Sequence, residues 1–105
     1  MKRITNMPDE VVDELRQIYR ERKSVLAVIR YIKARGFEGL YYGGFEIMIL
    51  EAFRLRVSQI AWMSWWSENP LPNQDCITDE VLDAKMNPEI EARRHLWDKP
   101  AVEDA

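Results

Sequence analysis

Residues 45–66 read FEIMILEAFRLRVSQIAWMSWW, and the fold of the chain turns on what this stretch is. A membrane span needs roughly 20 predominantly apolar residues, and this stretch has the length. It also holds Glu46, Glu51, Arg54 and Arg56, and charges near the centre of a span are costly. The reading is therefore a buried helix. Phe45, Ile47, Met48, Ile49, Leu50, Ala52, Phe53 and Leu55 make it apolar nearly all round, and such a helix belongs at the centre of a fold. The pattern leaves two continuations open. The helix runs on through Val57, Ile60, Trp62 and Trp66, or it breaks near Arg56 with Ser58 capping a fourth helix.

Upstream, two helices are expected. Asn6 is the candidate cap of the first, which starts near Pro8, and Asp9 and Glu10 put negative charge in its first turn, where the helix dipole favours it. Val11, Leu15, Ile18 and Arg22 recur at helical spacing with Val12 and Tyr19 beside them. Arg20, Arg22 and Lys23 close this helix with positive charge. Ser24 is the expected cap of the second helix, Val25 to Arg35, whose stripe is Val25, Val28, Ile29 and Ile32, and Gly36 is its expected C-terminal stop. So short a junction predicts a tight helical pair packed on the central apolar helix. Between them, Phe37 to Gly44 reads as a glycine-punctuated loop. Its Leu40, Tyr41 and Tyr42 either tuck under the core or form an aromatic contact surface.

Downstream, Pro70 and Pro72 are expected to end the helical stretch, with a loop from Asn69 to Asp75. Thr78 is the expected cap of a short helix from Asp79 to Met86, and Asn87-Pro88 is expected to restart another through Trp97, because proline suits a first helical turn. These elements predict an all-α protein: a small bundle of about five helices, with residues 1–98 as one helical domain and 99–105 as a flexible C-terminal tail.

A chain of 105 residues that is 47% apolar can bury a real core without metals or disulfides. One cysteine, Cys76, excludes an intrachain disulfide, and residues 1–7 lack the apolar run of a signal peptide, so a cytoplasmic protein with no membrane partner is expected. Net charge is −3 but unevenly placed: residues 1–60 carry 11 Lys/Arg against 8 Asp/Glu, and residues 61–105 carry 4 against 10. Such asymmetry fits either ordinary solvation of helix surfaces or a basic face that meets an acidic partner.

Catalytic and metal signals are poor. The lone histidine, His95, would have to serve as the base of any Ser–His–Asp arrangement, and its neighbours Arg93, Arg94, Leu96 and Trp97 suggest a surface or partly packed residue. Cys76 beside Asp75 has no evident activating base. One Cys and one His cannot close a zinc shell, and no calcium loop or glycine-rich phosphate loop is present. The expectation is a non-enzyme without cofactor or metal.

The run from Asp9 to Lys33, DEVVDELRQIYRERKSVLAVIRYIK, resembles the first two helices of a helix-turn-helix DNA-binding unit. Val12, Leu15, Ile18 and Tyr19 match its first helix, Lys23-Ser24-Val25 the junction, and Val28-Ile29 the face that packs back. That resemblance implies a third helix in the major groove. Here the sequence departs, because the helix after Lys33 offers FEIMILEAF, with almost nothing to read a base edge. Arg16, Arg20, Lys23, Arg30, Lys33 and Arg35 remain candidate contacts to phosphates or to an acidic partner.

Trp62, Met63, Trp65 and Trp66 form the other constellation. Trp62 and Trp66 share a helix face and Trp65 lies about 100° away. Three indoles within five residues are either a core plug under the C-terminal helix, with Trp97 against it, or the anchors of a protein interface, where Trp and Met are enriched. The function expected is a protein–protein interaction module acting by occlusion or bridging: an adaptor, an inhibitor or a small regulator of the kind phages and mobile elements carry. Its partner is another protein or a second copy of the chain. A helix-turn-helix-like DNA-binding regulator is the alternative.

Overall fold

A computed structural model describes residues 6–41, 44–66 and 77–97. These form an all-α bundle with five α-helices: α1 (Asp9–Arg22), α2 (Val25–Ala34), α3 (Gly44–Ala52), α4 (Ala61–Ser64) and α5 (Asp79–Ala92). Short 3₁₀ turns at Phe37–Gly39, Val57–Ile60 and Arg94–Leu96 join or extend them. The tail expected from residue 99 and the loop expected at 69–75 lie outside the described residues, as do Tyr42, Pro70, Pro72 and Cys76.

The N-terminal pair packs on α3 as the patterns require. α1 buries Val11, Val12, Leu15 and Tyr19, so its stripe is centred on Val12, Leu15 and Tyr19, and Ile18 lies at its margin. Its cap is Pro8 rather than Asn6: the Pro8 carbonyl accepts the amides of Val11 and Val12 at 3.1 and 3.2 Å. The helix ends where Lys23 turns left-handed (φ 54°) and donates its amide to Tyr19 O at 2.7 Å. Ser24 then caps α2 through Ala27 N. Gly36, at φ 69°, closes α2 in the conformation glycine adopts without strain. Val25, Val28, Ile29 and Ile32 are fully buried along α2, each contributing roughly 1.5–3 kcal/mol relative to exposure.

α3 is the centre of the fold, and none of its residues is exposed. It stops at Ala52. Arg54 adopts a left-handed conformation (φ 57°) and Leu55 N donates to Leu50 O at 2.9 Å, a Schellman stop with arginine where glycine is usual. Two other arginines hold this end: Arg16 Nε donates to Ala52 O at 2.6 Å and Arg93 Nε to Arg54 O at 2.7 Å. Of the two continuations the pattern allowed, the helix breaks. The new start is capped at Arg56 rather than Ser58, and Gln59 Oε1 accepts the Arg56 amide at 2.8 Å.

α5 departs most from expectation. It is one continuous helix with Pro88 inside it, not two helices restarted at Asn87-Pro88. Thr78 caps it through Val81 N. Its Leu82, Met86 and Ile90 are fully buried, and that burial offsets the one intrahelical bond a proline forfeits. α5 also terminates α2. Asp83 Oδ1 accepts Leu26 N at 3.0 Å, Asp83 Oδ2 accepts the Ser24 hydroxyl at 2.6 Å, and Asn87 Oδ1 accepts Val25 N at 3.1 Å. Each of the first three amides of α2 thus has a side-chain acceptor.

Candidate interaction surface

The four aromatic and methionine side chains of the α4 region divide. Met63 and Trp66 are buried, Trp62 is half-buried against the core, and Trp65 is 58% exposed. Trp66 meets the ring of Phe45 edge-on at 6.1 Å and donates Nε1 to Asp79 Oδ1 at 2.8 Å. Ile77 N donates to Trp65 O at 2.9 Å, which ties the chain after α4 to the start of α5. The α5 face that carries Val81, Lys85 and Glu89 runs along this region: Lys85 Nζ lies 5.0 Å from the centroid of Trp62, and Glu89 accepts from Gln59 Nε2 at 2.9 Å. Val81, one turn before Lys85, is also exposed. Trp62, Trp65 and Val81 therefore offer apolar surface on one side of the molecule.

Of the loop aromatics, Phe37 and Tyr41 are among the described residues and Tyr42 lies outside them. Phe37 is buried, Tyr41 is half-buried with its ring 5.5 Å from Phe37, and Leu40 is exposed.

The six basic residues singled out from the sequence do not gather on one face. Arg16 and Arg20 belong to the end of the molecule where α3 stops, Arg20 resting 5.5 Å from the ring centroid of Trp97. Arg30 pairs with Asp79 at 2.9 Å. Lys33 pairs with Glu38 at 3.1 Å and lies over Phe45. Arg35 covers Tyr31 and Phe37 and reaches Glu14 at 4.0 Å. Lys23 is exposed at the α1–α2 junction. Tyr31 donates to the Glu14 carboxylate, and that bond, with burial, raises its hydroxyl pKa above the ordinary value. An open groove of about 510 Å³ lies between α1 and α2, lined by Ile18, Glu21, Arg22, Ala27, Arg30 and Tyr31.

Sequence reasoning missed Arg54, Arg93 and Arg94. Arg94 lies 5.7 Å from the ring centroid of Trp97, opposite Glu91 at 3.4 Å. Trp97 is sealed with Tyr19 and Phe53, at centroid distances of 6.1 and 5.0 Å. Burial, and then the Glu91 carboxylate, push the Tyr19 hydroxyl well above its ordinary range. The Trp97 indole N–H is buried without an acceptor among the described residues, an arrangement that costs about 1–3 kcal/mol. His95 is exposed on the adjoining 3₁₀ turn. Among the described residues, no three His, Cys, Asp or Glu side chains are grouped to hold a metal ion, and no helix is long and apolar enough to cross a membrane. Comparison of the chain with protein-family models, curated proteins and solved structures finds no match.

Proposed function

We propose that the chain is a protein–protein interaction module that works by presenting the Trp65 side of the bundle to another protein, occluding or bridging it without making or breaking bonds. The observation that carries this reading is the contrast between neighbours: Trp66 is 8% exposed and Trp65 58%. A tryptophan the core does not use, beside the half-buried Trp62 and the exposed Val81, is the side chain an interface uses as an anchor. The DNA-binding alternative draws less support, because the helix that would enter a groove is α3, which has no exposed residue.

The test is chemical crosslinking of the tagged chain in host extract, comparing wild type with Trp65→Ala and with Leu40→Ala, an exposed apolar residue on the loop before α3. Loss of the crosslinked partner in Trp65→Ala alone supports the reading. Equal recovery in all three rejects it.

A further inference from the structure

Three segments meet where α3 stops: 16–20 of α1, 51–55 around the stop, and 91–97 at and beyond the end of α5. Arg16 and Arg93 donate to the carbonyls of Ala52 and Arg54, and Arg20 and Arg94 both lie against the Trp97 ring. These segments contain five arginines, Arg16, Arg20, Arg54, Arg93 and Arg94, and the exposed His95, against two carboxylates, Glu51 and Glu91. In a chain of net charge −3, this end is locally cationic. Arg20 and Arg93 have no carboxylate within ion-pair distance among the described residues, and the Arg94–Glu91 contact is exposed at 3.4 Å. The guanidinium groups of Arg16, Arg20, Arg93 and Arg94 are nevertheless held, by a backbone carbonyl or by the indole, so little of their side-chain freedom remains to be lost on binding.

We propose that this arginine end is a docking site for a carboxylate-rich protein segment, independent of the Trp65 surface. Held guanidinium forks match carboxylates bidentately. Nucleic acid fits less well. The three rings here, Tyr19, Phe53 and Trp97, are 1%, 0% and 2% exposed, which leaves no platform for base stacking. The helix that ends here has no exposed face to enter a groove.

The test is fluorescence anisotropy of a labelled octa-glutamate peptide titrated with the full chain at low and moderate salt. Binding should weaken about tenfold in the double variant Arg20→Gln/Arg94→Gln and about threefold in Arg20→Lys/Arg94→Lys, which keeps the charge and loses the fork. Arg30→Gln and Trp65→Ala should bind like wild type, so failure here leaves the Trp65 reading standing, and the reverse. No binding by wild type at about 100 μM would overturn the proposal. So would equal loss in Arg30→Gln, which would mean diffuse charge only, or a short random DNA duplex displacing the peptide at far lower concentration with a steep salt dependence.

Discussion

Replacing Asn87 with alanine should destabilise the protein far more than its half-buried position suggests. Asn87 sits where α5 passes the α1–α2 junction. Its Oδ1 accepts Val25 N at 3.1 Å and its Nδ2 donates to Lys23 O at 3.0 Å. Truncation strands a part-buried amide at the start of α2, at about 1–3 kcal/mol, whereas the exposed Lys23 carbonyl recovers a water. It also frees Lys23 from a left-handed conformation that a non-glycine residue holds only with support. The expected loss is about 2 kcal/mol, which for a domain near 100 residues lowers Tm by roughly 8–16 °C. Thermal unfolding followed by far-UV circular dichroism, paired with urea midpoints, measures it. Gln17→Ala, on the exposed face of α1, is the control and should stay within about 0.5 kcal/mol. An Asn87→Ala protein melting within about 2 °C of wild type would refute the view that α5 terminates α2.

Three further outcomes follow from the same geometry. Trp66→Ala should cost about 3–5 kcal/mol and Trp65→Ala within about 0.5 kcal/mol, read from urea midpoints, because only the former empties a core site. Pro88→Ala should stabilise by about 1–2 kcal/mol in the same assay, since it restores an amide inside an otherwise continuous helix. Burial raises the Glu46 carboxyl pKa above its ordinary 4.5, so the folded state disfavours its ionised form. Its contribution to stability is fully present below the unfolded pKa and is lost as pH rises through the raised folded value. Glu46→Gln should therefore stabilise the protein near pH 7 and do nothing in acid, and a stabilisation independent of pH would contradict that assignment.

Local chemistry made much of this fold legible. Ser24 and Thr78 cap the helices their positions predicted, Gly36 ends α2, and the apolar stretch from Phe45 is the buried centre. What escaped the sequence depends on groups far away along the chain. Arg54 stops α3 in a conformation its side chain disfavours, and its carbonyl is met by Arg93, 39 residues on. Pro88 reads as a helix start by propensity, but tertiary burial on both sides of it carries the helix through. Asn6 is the capping residue type before the first helix, yet the cap position falls on Pro8, whose carbonyl accepts the Val11 and Val12 amides. The three indoles of the α4 region cannot be sorted from spacing alone, because which one is sealed is set by α5 and Phe45, not by the i, i+4 relation of Trp62 and Trp66. Of the arginines at the end of α3, Arg16 and Arg20 stand out in the sequence as basic candidates, but their meeting with Arg54, Arg93 and Arg94 does not, because the five come from three segments that only the packing brings together.

α5 connects all of this. One side of it supplies Asp83 and Asn87 to the N-terminus of α2, its Val81–Lys85 face borders Trp62, and the residues beyond its end supply Arg93, Arg94 and Trp97. A variant that loosens α5 would therefore perturb both proposed surfaces at once and discriminate nothing. Side chains outside this helix can separate them. Trp65 follows α4, and Arg20 lies on α1 against the Trp97 ring. Their exposed or half-exposed positions let each be changed while the Leu82–Met86–Ile90 stripe stays seated. If Trp65→Ala and Arg20→Gln each abolished every binding activity of the chain at unchanged stability, the two surfaces would have to be contiguous parts of one interface. Separate losses would establish two.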